Sequence, residues 1–167
     1  MTLIEICEWL ETTKLASAVQ ESLYGFALLV GAHILGVAVS VGVLLWVDLR
    51  LLGVALMRRP LKEVYRSLTP WFTAGFVLML LSGTALFVAF ATAAYGNLFF
   101  RIKLLLLLLA GANALLFHWF AAEPDDRSGG AETPTAATRL AGGLSLAIWA
   151  GVIVMGRMMS YTMFSFG

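Results

Sequence analysis

The feature that most constrains the fold is an apolar run from Leu23 to Val47, in which His33 is the only side chain that ionises near neutral pH. As an α-helix, about 25 residues extend roughly 37 Å, which is enough to cross a bilayer with some tilt. Burying an ionisable group in such a segment is costly, so His33 is the first candidate for a functional residue. We expect it to point into the protein, because it shares a helix face with Gly36 and Ser40, small residues on which another helix can pack closely.

The composition predicts an integral membrane protein. Of the 167 residues, 60% are hydrophobic and only 13% are charged, whereas a soluble domain is about one quarter charged. The net charge of +1 and the lack of a basic cluster argue against nucleic-acid binding. Cys7 is the only cysteine, which excludes an internal disulfide and a multi-thiolate metal site.

Four apolar segments predict an all-α fold, a polytopic membrane four-helix bundle at residues 21–167. The second segment has a start signal, with Thr69 as N-cap and Pro70 at the first helical position. A short amphipathic helix within residues 1–20 either lies on the bilayer surface or covers the mouth of the bundle. The four spanning helices are expected at about 21–50, 69–93, 98–121 and 138–160.

The distribution of basic residues predicts the orientation in the membrane. The loop after the first helix and the polar loop at 123–139 hold seven Lys and Arg residues, against four on the opposite side. Because basic loops remain in the cytoplasm, both larger loops are expected inside and both termini outside. The first helix then leaves the membrane at Asp48 and Arg50. No Asp or Glu lies between the helix ends, which argues against a proton-coupled transporter.

Depth along the helices decides which polar groups could meet. Measured from the cytoplasmic edge, His33 lies roughly 20 Å up, Ser82 to Thr84 roughly 17–20 Å, and Arg157 roughly 25 Å. His118 lies within about one turn of that edge. Imidazole is a common haem ligand, but this mismatch of roughly 15 Å disfavours one haem b held by both histidines of a protomer.

Other ligand sets remain open for a haem at this depth. His33 could bind it alone, together with Met158, or between two protomers. Arg157, on the same helix face as Tyr161, either snorkels to the outer surface or offers its charge to a propionate or quinone oxygen.

Each histidine also has an ordinary structural interpretation. His33 could hydrogen-bond to Ser, Thr or a backbone carbonyl on another helix. His118, beside Trp119, is typical of a membrane interface. A methionine stripe could bind Cu(I) with His33 or simply pack within the bundle; it consists of Met155, Met159 and Met163.

Four motifs carry a resemblance to a known family: ES…GAHILG…DLRLLG in the first helix, TPWFTAGF opening the second, FRIKLLLLLLAGANALLFH in the third and GRMMSYT closing the fourth. Together they resemble a bacterial domain-of-unknown-function family of small four-helix integral membrane proteins. The resemblance implies the four-helix topology and transfers no activity. It places the chain in a bacterial inner (cytoplasmic) membrane. More distantly, the architecture is similar to four-helix b-type cytochromes and to copper-resistance membrane proteins.

Function is expected to rest on the groups that share a depth. No HExxH, glycine-rich phosphate loop, GxSxG elbow or acidic metal pair is present, so no enzymatic activity is predicted. The leading hypothesis is a redox-associated subunit that binds a haem- or quinone-like cofactor near His33, with Arg157, Ser82 and Thr84 in support. Its partners would be the lipid bilayer, a membrane or periplasmic redox protein, or a second copy of the chain. The alternatives are a non-catalytic scaffold and a copper-handling protein.

Overall fold

The computed structural model describes residues 2–59, 61–120 and 134–164, and within these ranges it contains helices and no strand. Four of the helices are long and apolar enough to cross a membrane, with mean hydropathies between 1.6 and 2.4. The all-α four-helix class predicted from the sequence is therefore confirmed. The helices in chain order are α1 (Leu3–Glu11), α2 (Lys14–Glu21), α3 (Gly25–Leu51), α4 (Leu61–Ala89), α5 (Ala91–Gly96), α6 (Leu98–Phe120) and α7 (Ala136–Phe164).

The long helices pack on three sides of a four-sided bundle. Helix α3 lies between α4 and α7, and α6 packs against α7. On the fourth side, no described Cα of α4 comes within 8 Å of one of α6. Two ring stacks bridge this open side, Phe87 on Phe100 at 5.4 Å and Tyr65 on Phe117 at 6.4 Å between centroids.

The interior is apolar and the outer surface carries leucines. A buried cluster joins α4 to α7 through Met79, Ile148, Trp149 and Val152, and partly buried side chains of α3 and α6 pack around it. On α6, the leucine run presents most of its side chains outward, as expected for a surface in contact with lipid; the exposed ones are Leu104, Leu105, Leu108 and Leu109.

The N-terminal segment forms two short helices that pack on one end of the bundle. Thr2 and Glu5 form a capping box at the start of α1. At its end, Glu11 Oε1 accepts hydrogen bonds from the backbone N–H of Thr92 at 2.8 Å and from its hydroxyl at 2.7 Å. These bonds attach α1 to α5, and α2 packs against α3 and α4.

The predicted start of the second spanning helix is wrong. Helix α4 begins at Leu61, and Pro70 lies inside it. Packing overrides the start signal, because Val64 is buried and Tyr65 stacks on Phe117 in the turns before the proline. The Thr69 hydroxyl donates to the carbonyl of Tyr65 in the turn before the proline. The helix also ends earlier than predicted, at Ala89.

Candidate functional site

His33 lies where α3 crosses α4. Its Nδ1 is 3.0 Å from the carbonyl oxygen of Met79 and 3.2 Å from the hydroxyl of Ser82. The ring lies against Gly83, where an added Cβ would stand 2.9 Å from His33 Cε1. His33 and Ser82, which were predicted to meet from their depth alone, are therefore direct partners.

The hydrogen bonds around His33 assign its tautomer. A carbonyl oxygen can only accept, so Nδ1 carries the hydrogen and donates it to Met79. The Ser82 hydroxyl donates to the carbonyls of Leu78 and Met79, which leaves its oxygen free to accept from Nδ1. The other nitrogen, Nε2, holds a lone pair and has no hydrogen-bond partner among the described residues. It is therefore free to bind a ligand.

Small residues bring the two backbones close enough for this contact. A Cβ on Gly36 would lie 2.6 Å from the backbone nitrogen of Met79, and one on Gly75 would lie 2.7 Å from that of Ser40. Ser40 is fully buried, and its hydroxyl donates to the carbonyl of Gly36 at 2.8 Å. The expected close approach at Gly36 and Ser40 is confirmed, and Gly75 completes it from α4.

Lys103 is the cation near His33, and sequence reasoning missed it. It lies five residues into α6, roughly 7.5 Å from the start of that helix. Its ammonium lies beside Gly156 of α7, where an added Cβ would be 3.7 Å from Nζ. It lies close enough to His33 for the two groups to interact electrostatically. The signal that could have found it is the position of a lysine inside an apolar helix.

The other predicted site residues lie apart from His33. Arg157 is exposed, and its guanidinium sits 5.8 Å from the ring centroid of Tyr161, which is itself exposed. The pair thus fits the surface interpretation of Arg157. Thr84 is exposed on α4, and Met158 is 41% exposed on α7. The side chain of His118 lies outside the described part of the structure.

A second buried ionisable group, Asp48, also escaped sequence reasoning. It was assigned to the end of the first helix, but its side chain is only 3% exposed and lies inside the bundle. The hydroxyl of Ser145 on α7 lies close to its carboxylate. Its Oδ2 has no hydrogen-bond partner in the part of the chain that the structure describes. Close packing accounts for the burial, since a Cβ on Gly142 of α7 would lie 3.0 Å from the carbonyl oxygen of Asp48.

Comparison with known proteins identifies the family. The model of a family of unknown function, DUF6644, matches residues 6–162. The chain belongs to DUF6644. No curated protein and no solved structure matches it. The resemblance to a domain-of-unknown-function family is thereby confirmed, and that to cytochromes is not shown.

The donor atoms of this DUF6644 protein limit what it could hold. Among the described residues, no group of three His, Cys, Asp or Glu side chains could share a metal ion. His33 offers one imidazole nitrogen in the tautomer that binds iron or accepts a proton. Lys103, on α6, adds a positive charge close enough to interact with it. This pair suits a cofactor that combines an apolar ring with an anionic or carbonyl oxygen.

Proposed function

We propose that the protein is a redox-associated subunit of the bacterial inner membrane, with both termini outside, that holds a haem- or quinone-like cofactor against His33. The observation that carries the proposal is the open Nε2 of a histidine whose Nδ1 is fixed by Met79 and Ser82. A carbonyl that orients the ligating imidazole in this way is the usual second partner of a metal-binding histidine.

Lys103 supports the same assignment. No ion pair links Lys103 to an acidic side chain among the described residues. An ammonium inside an apolar bundle is costly, and an anionic partner would offset that cost. A haem propionate or a quinone oxygen would provide such a partner. Nε2 of His33 would bind the iron of a haem, or would accept a proton from the hydroxyl of a quinol. A membrane or periplasmic redox protein would then exchange electrons with the cofactor.

The experiment begins with freshly purified wild-type protein. An optical spectrum and a pyridine haemochromogen assay detect haem, and organic extraction followed by chromatography detects quinones. We expect one of the two cofactors at a stoichiometric level. A protein with neither a Soret band nor an extracted quinone would refute the proposal.

Two substitutions separate cofactor binding from a structural role. His33→Asn keeps an N–H donor near the position of Nδ1 and removes Nε2, whereas His33→Ala removes both. We expect the Asn variant to lose the cofactor while its thermal stability, measured against wild type stripped of cofactor, stays the same. Retention of the cofactor by both variants would show that His33 does not hold it.

A non-catalytic scaffold is the second candidate, because His33 bonds to α4 from α3 and so ties the two helices together. This role predicts that His33→Ala lowers the thermal stability, that His33→Asn restores it, and that no cofactor is present in any variant.

A further inference from the structure

A groove of about 210 Å³ lies between α3 and α7, away from His33. Apolar side chains line it, among them Leu45, Trp149 and Ile153. Asp48 is the lining residue of α3 nearest to the end of that helix. We call this feature the α3–α7 groove. A molecule bound in this groove would lie beside the buried carboxylate of Asp48.

Asp48 lacks the positive partner that a buried carboxylate requires. It is 3% exposed, its Oδ2 has no hydrogen-bond partner, and no Lys or Arg among the described residues forms an ion pair with it. A hydroxyl from Ser145 is the contact that it does make. Burial of a carboxylate without a cation is strongly unfavourable, so a cation from outside the chain would complete the site.

The groove matches a lipid in its arrangement of charged and apolar groups. Asp48 lies three residues from the end of α3, roughly 4.5 Å along the axis, whereas Gly42 lies nine residues from it, roughly 13.5 Å. An added Cβ at Gly42 would meet no atom within 4 Å, so the deeper part of the groove is open. A charged group near the helix end and an apolar channel above it match a headgroup and an acyl chain.

We propose that the α3–α7 groove binds a lipid with a primary ammonium headgroup, phosphatidylethanolamine, whose ammonium donates to the Asp48 carboxylate. Asp48 lines the groove, so the ammonium would approach its carboxylate from the groove side. This site does not involve His33, and its test is independent of any redox cofactor.

The first test uses the wild-type protein and needs no variant. Delipidated protein is incubated with phosphatidylethanolamine, its mono- and dimethyl derivatives, phosphatidylcholine or phosphatidylglycerol, all with the same acyl chains. Native mass spectrometry then measures which lipid is retained. A charge-assisted hydrogen bond predicts about tenfold greater retention of phosphatidylethanolamine than of phosphatidylcholine, with loss along the methylation series. Equal retention of these lipids would overturn the proposal.

Two variants then locate the lipid. Asp48→Asn keeps the shape and removes the charge, so the preference among headgroups should disappear. Gly42→Leu fills the open part of the groove and should reduce the retention of every lipid there. Gly31→Leu is the matched control, because Gly31 lies on the same helix and also faces open space.

The Asp48→Asn variant distinguishes an ionised Asp48 that binds the ammonium from a protonated, neutral Asp48. If Asp48→Asn keeps the same headgroup preference, the ammonium binds elsewhere and the proposal fails. A protonated carboxyl band in the infrared spectrum that is lost in Asp48→Asn, together with equal retention of all lipids, would assign Asp48 as a neutral acid and also refute it.

Discussion

Gly36 on α3 and Met79 on α4 are in such close contact that a Cβ on the glycine would stand 2.6 Å from the backbone nitrogen of Met79. The carbonyl of the same Met79 accepts the hydrogen bond from His33 Nδ1. The spacing of the two helices and the orientation of the histidine therefore depend on one contact, and disturbing the glycine disturbs both.

Gly36→Ala is expected to destabilise the protein by about 1–3 kcal/mol, because overpacking a close backbone contact forces the helices apart. Gly31→Ala, on the same helix but facing open space, should be neutral or slightly stabilising. Unfolding in mixed micelles by a denaturing detergent measures both. Equal stability of the two variants would show that α3 and α4 are not held at this spacing.

Gly83→Ala is expected to displace the imidazole of His33, since the new Cβ would lie 2.9 Å from Cε1. Turning the ring weakens its bond to Met79, which we expect to cost about 1 kcal/mol in unfolding free energy and to lower the occupancy of any cofactor. Gly111→Ala on α6 meets open space and serves as the control. The histidine ring resonances in NMR spectra should shift in the first variant and not in the second.

Glu11→Ala is expected to release the N-terminal helices from the bundle, because it removes the acceptor of both hydrogen bonds from Thr92. The loss is expected to be about 1.5–3 kcal/mol for this local unit. Glu8→Ala, an exposed change in the same helix, is the control. Hydrogen exchange over residues 3–21 should accelerate only in the Glu11 variant. Unchanged exchange would mean that the segment is held by its apolar contacts alone.

Asn97 has two separable roles at the start of α6. Its side-chain oxygen accepts from the backbone N–H groups of Phe99 and Phe100, and its amide donates to the hydroxyl of Thr162 on α7 at 2.8 Å. Asn97→Asp keeps the N-cap and loses the donor, whereas Asn97→Ala loses both. We expect a cost of about 1 kcal/mol for Asp and about 2 kcal/mol for Ala in unfolding free energy. An Asp variant as unstable as Ala would assign the whole effect to Thr162.

Hydropathy and the spacing of small residues were sufficient to predict the four spanning helices and the face of α3 that packs closely on another helix. Four apolar segments of spanning length leave few alternatives to a bundle. Gly36 and Ser40 indicated the face of α3 on which α4 packs. Thr69 and Pro70 did not reveal the start of α4, because the helix is extended by the burial of Val64 against other helices, and such tertiary packing is not visible in the local sequence.

The candidate site was predicted only in part, for a reason that lies in the helix packing. Depth correctly brought Ser82 to His33, since both lie on crossing helices. The depth of a residue does not tell in which direction its side chain faces around the helix axis. Arg157 was therefore placed near His33, although it faces outward beside Tyr161. Asp48 was assigned to a helix end by its charge, and only the packed structure shows that its side chain lies inside the bundle.

The side between α4 and α6, where no described Cα pair lies within 8 Å, has a consequence for how a ligand reaches His33. Two ring stacks, Phe87 on Phe100 and Tyr65 on Phe117, span this spacing. A wide spacing on the flank of a bundle faces the hydrocarbon layer. A hydrophobic molecule bound at His33 would then arrive by lateral diffusion, and its occupancy would follow its mole fraction in the bilayer. Diluting the membrane with inert lipid, at constant total concentration in water, would empty such a site.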